Sequence, residues 1–240
     1  KVYLFDKDSS TPLWNFDAGS DVLSVDISAD GGSIAVGSAD YKVYFFDKSN
    51  STPLWSYTTS NRVTSLAISS DGEYIISGGG NTFCGTCYKS IYLFSKDNST
   101  PLWSYTTGTQ VLSLDISSDG EYIAAGYDDG VYLFNKNSST PSWSYTQTSV
   151  ISVAISADGM YLTAGSYDNK AYLFDRSSST PLWSYTTGGH VSSVTISADG
   201  DYITAGSKDG KLYLFDNDSG IPLGSYTLCD CDSGDPYSLA

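Results

Sequence analysis

The sequence is poor in the side chains that most often carry catalysis or bind metals. Its 240 residues include one histidine, His190, and two glutamates, Glu73 and Glu121. A metal site built from several histidines is therefore excluded, and no Gly-x-Ser-x-Gly string presents a nucleophilic serine. We expect a protein that is not an enzyme and that holds no cofactor and no catalytic metal.

Basic residues and long hydrophobic runs are also scarce. Twelve Lys and Arg stand against 27 Asp and Glu, which gives a formal net charge of −15. Such a surface repels phosphate backbones and anionic lipids, so nucleic acid is an unsuitable partner. No stretch approaches the 18 apolar residues that a membrane span requires, so we expect no membrane insertion.

What the sequence has in abundance is an internal repeat. Strings of the type Thr-Pro-Leu-Trp-Ser-Tyr recur about every 40 residues, around Trp14, Trp55, Trp103, Trp143 and Trp183. A last copy has Gly224 in place of the tryptophan. Asp-Gly pairs keep the same spacing, at 30–31, 71–72, 119–120, 158–159 and 199–200. This period is typical of a β-propeller, in which each repeat forms one four-stranded blade.

Each repeat has the pattern of four short strands. In the last unit, alternating residues 190–197 predict a half-buried strand, Asp199-Gly200 a turn, and 202–206, 211–215 and 222–227 three further strands. We therefore predict an all-β fold, a propeller of about six four-stranded blades in a single domain covering residues 1–240. Five complete units are expected near 22–58, 63–107, 111–146, 150–187 and 191–227.

The sixth blade is predicted to be shared by the two ends of the sequence. Residues 1–17 have the pattern of a third and a fourth strand only. Residues 228–240 contain Tyr237-Ser-Leu-Ala240, which resembles the first-strand string Thr64-Ser-Leu-Ala67. A closing blade built from both segments lacks an obvious second strand.

Residues 188–216 resemble a WD-repeat unit, a family that carries an Asp between its second and third strands. The matching residues are Asp40, Asp129, Asp168 and Asp209, and His190 matches the family's Gly-His pair. Phe-Asp replaces the usual Trp-Asp, so the family's hydrogen-bond set is incomplete. Residues 170–189 resemble the repeat of quinoprotein-like propellers equally well. Both resemblances imply a propeller, and they imply a scaffold more often than an enzyme.

The repeated tryptophans, aspartates and His190 have a structural interpretation. Trp14, Trp55, Trp103, Trp143 and Trp183 can form a ring of aromatic binding platforms, or each can pack its outer strand against the next blade. Identity across internal copies favours packing, because repeats share structure whereas binding sites usually break the symmetry. The same argument applies to the turn aspartates.

The four cysteines do break the symmetry. Cys84 and Cys87 lie in an insertion in the second unit, and Cys229 and Cys231 follow the last complete unit. An even number favours disulfides in an oxidising compartment, with the pairing left open. A four-cysteine zinc site and a redox-active Cys-x-x-Cys pair are the alternatives.

Four sequons favour a location outside the cell. Asn50, Asn98, Asn137 and Asn217 begin Asn-x-Ser/Thr strings, all between a third and a fourth strand. Together with the cysteines they indicate a secreted, glycosylated protein of a microbial, for example archaeal, cell surface.

The function that these features favour is a non-catalytic scaffold that binds protein partners or copies of itself, and forms a filament or layer by strand addition. The alternatives are a quinoprotein-like redox enzyme domain and an intracellular WD-repeat-like scaffold.

Overall fold

The computed structural model describes residues 1–80, 89–146 and 148–228, and these contain 22 β-strands and no helix. The N-terminal sheet consists of β1 (Val2–Phe5) and β2 (Pro12–Phe16). Five four-stranded sheets follow, which we number as blades 1 to 5. Blade 1 contains β3 (Val22–Ile27), β4 (Ser33–Ser38), β5 (Lys42–Asp47) and β6 (Trp55–Thr58). Blade 2 contains β7 (Ser65–Ile68), β8 (Tyr74–Gly78), β9 (Lys89–Ser95) and β10 (Trp103–Thr107).

The last three blades repeat this plan. Blade 3 contains β11 (Val111–Ile116), β12 (Tyr122–Tyr127), β13 (Gly130–Asn135) and β14 (Trp143–Tyr145). Blade 4 contains β15 (Val150–Ile155), β16 (Tyr161–Ser166), β17 (Lys170–Asp175) and β18 (Trp183–Thr186). Blade 5 contains β19 (Val191–Ile196), β20 (Tyr202–Ser207), β21 (Lys211–Asp216) and β22 (Gly224–Thr227). Within each blade, strands adjacent in sequence pair antiparallel. The predicted all-β propeller of six sheets is confirmed.

The Asp-Gly pairs form the turns between the first and second strands of the blades. The glycines have φ between +67° and +78°, a conformation that costs a residue with a side chain about 1 kcal/mol. In blade 1 the Asp30 carboxylate accepts bonds from Ser28 Oγ at 2.6 Å and from the Gly32 N–H at 2.8 Å. This local network holds the turn closed, which explains why the Asp-Gly pair recurs in every unit.

Serines join the first strands of successive blades. In each case the hydroxyl oxygen accepts a hydrogen bond from a backbone N–H of the following blade, at 2.9–3.1 Å. The four pairs are Ser24 with Leu66, Ser65 with Leu114, Ser113 with Val153, and Ser152 with Val194. Since the first strands β3, β7, β11, β15 and β19 contact one another in this order, they form the inner wall of the propeller.

The tryptophans join successive sheets at the outside. Each indole Nε1 donates to a backbone carbonyl of the next blade at 2.6–3.2 Å, and each ring lies 5.0–5.7 Å from a phenylalanine there. Trp103, for example, donates to the Lys136 carbonyl and stacks on Phe134. At Gly224 of β22 this contact is missing, because no indole is present.

The hydrophobic core lies between blades. One cluster combines Phe45 of blade 1 with Leu66 and Phe94 of blade 2, and another combines Leu173 of blade 4 with Phe215 of blade 5. Blades 1 to 4, which have a described neighbour on each side, therefore depend on both neighbours to bury their two faces.

Replacing Trp103 by Ala is expected to destabilise the fold by about 2–4 kcal/mol, because it removes a large packed ring and one interblade hydrogen bond. Urea unfolding at equilibrium measures this change. Leu102→Ala is the control, because the neighbouring Leu102 is exposed and its loss should cost less than about 0.5 kcal/mol. Equal effects of the two substitutions would show that the tryptophans do not join the blades.

Candidate protein-binding surface

Blade 5 has an uncovered face. Leu212 and Leu214 of β21 are 39% and 40% exposed. The residues at the same two positions of the other four blades are all buried: Val43, Ile91, Val131 and Ala171, and Phe45, Leu93, Leu133 and Leu173. Those eight side chains pack on the next blade along the chain. Leu212 and Leu214 have the same apolar character without a described blade to cover them, so we call this surface the blade 5 face.

A matching surface is uncovered at the other end of the series. Phe5 of β1 is 52% exposed, whereas Phe46, Phe94, Phe134, Phe174 and Phe215, at the same position of the five blades, are fully buried. Val25 of β3 is 57% exposed, although its counterparts in blades 2 to 5 are buried. We call this surface the β1–β3 face. In a propeller the two-stranded β1–β2 sheet, which we call the incomplete blade, lies between blade 5 and blade 1. Contacts that are buried between the other sheets are exposed there.

Hydrogen-bonding groups of β19 and β1 also have no partner among the described residues. Ser193 of β19 is the counterpart of Ser24, Ser65, Ser113 and Ser152. Its side chain is exposed, and no described residue donates to it. In the described part of the chain β1 pairs only with β2, so its other edge presents free N–H and C=O groups. An unpaired strand edge beside exposed apolar side chains is a template for an added strand.

The aspartates between the second and third strands of the blades each accept several hydrogen bonds. Asp209 accepts bonds from the Tyr213 hydroxyl at 2.6 Å and from the N–H groups of Gly188 and Lys211. Burial raises its pKa, but the hydrogen bonds outweigh that effect and hold the pKa below its ordinary value. Asp40 has the same arrangement with Tyr44, and burial together with the Asp40 carboxylate raises the pKa of Tyr44 to about 12.

The other two turn aspartates make similar contacts. Asp168 accepts from the Tyr172 hydroxyl, and Asp129 accepts from the hydroxyls of Tyr132 and Thr109. Each of the four carboxylates therefore bonds to a third-strand tyrosine of its own blade. Because Asp40, Asp129, Asp168 and Asp209 repeat one local arrangement, they do not form a site that differs between blades.

His190 lies at the start of β19, where the WD-repeat resemblance places it. Its ring meets Tyr167 edge to face at 4.9 Å, and its Nδ1 is buried without a partner among the described residues. The donor to Asp209 is the Tyr213 hydroxyl, whereas the hydrogen-bond set of the WD-repeat pattern includes a histidine.

Both glutamates form ion pairs with lysines. Glu73 pairs with Lys96 and Glu121 pairs with Lys136, in each case within one blade. The described residues contain no group of three or more His, Cys, Asp or Glu side chains that could hold a metal ion. They also contain no helix long and apolar enough to cross a membrane.

The sequons lie on the outer side of the blades. Asn50, Asn98 and Asn137 are exposed, and the side-chain oxygens of Asn50 and Asn98 accept the N–H of the threonine two residues later. Asn217 differs, because its backbone carbonyl accepts the Trp183 indole and its side chain is partly buried. Cys84, Cys87, Cys229 and Cys231 lie outside the described residues, as does Tyr237–Ala240.

Two carboxylates on the inner strands were not predicted as a pair from the sequence. Asp26 of β3 accepts the N–H groups of Ile27 and Ile68, and Asp115 of β11 accepts those of Ile116 and Ile155. Burial, with a smaller contribution from the Asp26 charge, raises the pKa of Asp115 to about 6. A comparison of the repeats could have identified the pair, because only blades 1 and 3 have an aspartate at this position. Blades 2, 4 and 5 have Ala67, Ala154 and Thr195 there.

The raised pKa of Asp115 predicts a pH dependence of stability. The folded state binds the proton more tightly than the unfolded chain, so the free energy of unfolding falls as the pH rises from about 4 to 6. Between pH 4.5 and pH 7.5 the loss from this group should be about 2 kcal/mol. In Asp115→Asn this part of the slope should disappear, whereas Asp97→Asn, at an exposed position, should keep it. Identical urea-unfolding profiles for the wild type and Asp115→Asn from pH 4.5 to 7.5 would contradict the assignment.

Comparison with known proteins identifies the family. No curated protein matches the chain at a significant level. A family of PQQ-like repeats, described as outer membrane protein assembly factor BamB, matches residues 1–110 and 87–236. The two matches overlap and together cover nearly the whole sequence, in agreement with the repeated four-stranded sheets. The chain therefore belongs to the PQQ-like repeat family of β-propellers that carries the BamB description.

Proposed function

We propose that the protein is a non-catalytic scaffold that binds other proteins, and copies of itself in particular, at its incomplete blade. The observation that carries this proposal is the exposure of Leu212, Leu214 and Phe5, at positions that are buried wherever a neighbouring blade is present. Burial of apolar surface is the main favourable term in protein association. A partner that supplies the missing cover gains the contacts that hold the other blades together.

The mode of binding that fits this surface is strand addition. The free edge of β1 offers main-chain groups for pairing, and Phe5 lies on the same strand. A strand added there would also pack on Leu214 of the blade 5 face. In a second copy the same edge is free, so two copies can pair through their β1 strands in a two-fold contact. A filament arises if different strands of the two copies pair.

The family description supports an assembly role and a place in the cell envelope, because its words name an outer membrane assembly factor. The exposed sequons Asn50, Asn98 and Asn137 support a location outside the cytoplasm, where they would carry glycans and the cysteines would form disulfides. The net charge of −15 opposes association between copies, and salt screens that repulsion. Self-association should therefore increase with ionic strength.

Light scattering on a sizing column tests the proposal. The wild-type protein should show a mass above 25.7 kDa that rises with protein and salt concentration. The double variant Leu212→Asp/Leu214→Asp should remain monomeric, since it places charges on the blade 5 face. Leu102→Asp, at an exposed position beside the fourth strand of blade 2, should associate like the wild type.

A wild-type protein that stays monomeric at every salt concentration would contradict self-association. Association of the double variant to the wild-type extent would show that the blade 5 face is not the binding surface. A mass of two copies supports mutual pairing of β1 strands, and larger, concentration-dependent masses support a filament.

A further inference from the structure

Blade 2 differs from the other blades in the connection between its second and third strands. The other four blades have an aspartate in this connection, namely Asp40, Asp129, Asp168 and Asp209. In blade 2 the corresponding segment, residues 79–90, contains neither aspartate nor glutamate. The carboxylate that each of the other blades supplies at this position is therefore missing from the sequence of blade 2.

Three donors surround that carboxylate in blade 1. Asp40 accepts the Tyr44 hydroxyl at 2.6 Å and the Lys42 N–H at 3.0 Å. It also accepts the N–H of Gly19, in the connection that leads into blade 1, at 3.0 Å. In blade 5 the same three donors around Asp209 come from Tyr213, Lys211 and Gly188. Two backbone amides and a phenol that converge on one carboxylate form an anion-binding arrangement, which the chain itself occupies in these blades.

Blade 2 keeps the counterparts of all three donors. In the alignment of the repeats they are Ser60, Ser90 and Tyr92. These residues line one pocket with an empty volume of about 150 Å³, part of it open to solvent. The Tyr92 hydroxyl donates to Ser60 Oγ at 3.1 Å, and the Ser60 N–H donates to the Tyr92 oxygen at 3.3 Å. Two groups whose counterparts bind the carboxylate in blades 1 and 5 therefore bond to each other in blade 2.

The other residues that line this pocket favour an anion. Arg62 lines the pocket and adds a positive charge, in a chain whose net charge is −15. The residues at its position in the other blades are Asp21, Gln110, Ser149 and His190. Gly79 also lines the pocket, and a Cβ there would lie 2.0 Å from the Arg62 carbonyl oxygen. Residue 79 therefore cannot carry a side chain into the pocket.

We propose that this pocket of blade 2 binds the carboxylate group of an external ligand, in the place that an aspartate has in the other blades. The Tyr92 hydroxyl and the N–H groups of Ser60 and Ser90 donate to the carboxylate, and Arg62 supplies the compensating charge. An ionised acceptor forms stronger hydrogen bonds than a hydroxyl, so the carboxylate replaces the mutual bonds of Tyr92 and Ser60. A small carboxylate anion and an acidic side chain of a peptide offer the same group. The pocket is separate from the incomplete blade, so this inference does not depend on the proposed function.

Titration of the full chain with sodium acetate at pH 7, followed by the chemical shifts of the backbone amides, tests the proposal. The Ser60 and Ser90 amides should shift and reach saturation, with sodium chloride at the same ionic strength as the reference. The Gly19 and Lys42 amides of blade 1 should not shift, because Asp40 already accepts their N–H groups. Absence of a saturable shift at Ser60 and Ser90, or equal shifts in both blades, would overturn the proposal. A monomeric protein that shows the expected shifts would refute self-association while leaving this inference standing.

A pair of matched variants tests the role of the tyrosine hydroxyl. Tyr92→Phe removes one donor and keeps the ring that contacts Tyr57 and Phe94, so it should weaken acetate binding about tenfold. Tyr44→Phe makes the same change in blade 1, where Asp40 occupies the position, and should leave acetate binding unchanged. Equal acetate affinities of the wild type and Tyr92→Phe would contradict the proposed site.

A short peptide with blocked ends and a single aspartate distinguishes the two sources of the carboxylate. An affinity at least tenfold above that of acetate assigns the pocket to an acidic segment of a protein partner, whereas an equal affinity assigns it to small carboxylate anions. The same peptide with asparagine in place of the aspartate should not bind. Equal binding of the two peptides would show that the pocket does not recognise a carboxylate.

Discussion

The contact between neighbouring blades is the interaction on which the rest of the structure depends. No blade buries both of its faces alone: Phe45 and Leu173, fully or nearly fully buried, are covered by the blade that follows each of them. Serine hydroxyls on the inner wall and indoles on the outside tie the same pairs of blades by hydrogen bonds. The stability of the fold therefore depends on the contacts between successive blades, as in other repeat proteins. A blade face without a neighbour exposes the apolar side chains that a neighbour would otherwise bury.

Gly224 shows that the last interface differs from the others. At each of the other five positions an indole bonds to the next sheet, but at this one the side chain is absent and its space is open. The missing indole, together with the exposed Phe5 and Leu214, distinguishes this end of the series from the five interfaces that a tryptophan joins.

The fold was predictable from the sequence because the pattern is repeated. Trp103 or Asp209 alone says little, but five copies of the tryptophan and four of the turn aspartate identify blades, turns and strand order. The two-strand character of residues 1–17 was predictable for the same reason. The exposure of Leu212 was not, since an isolated Lys-Leu-Tyr-Leu-Phe string is the same whether or not another sheet covers it. The raised pKa of Asp115 also required the structure, because it comes mainly from burial of the carboxyl group, with a smaller contribution from the charge of Asp26 on another blade.

Hydrogen exchange along the third strands tests the central claim most directly. Among the described residues β1 is paired on one edge only, whereas β5, β13, β17 and β21 are paired on both. In the monomer, the β1 amides that face the open second-strand position should exchange orders of magnitude faster than the corresponding amides of β13. Equal protection of β1 and β13 would mean that the sixth blade is already complete, and that no open position for a partner exists.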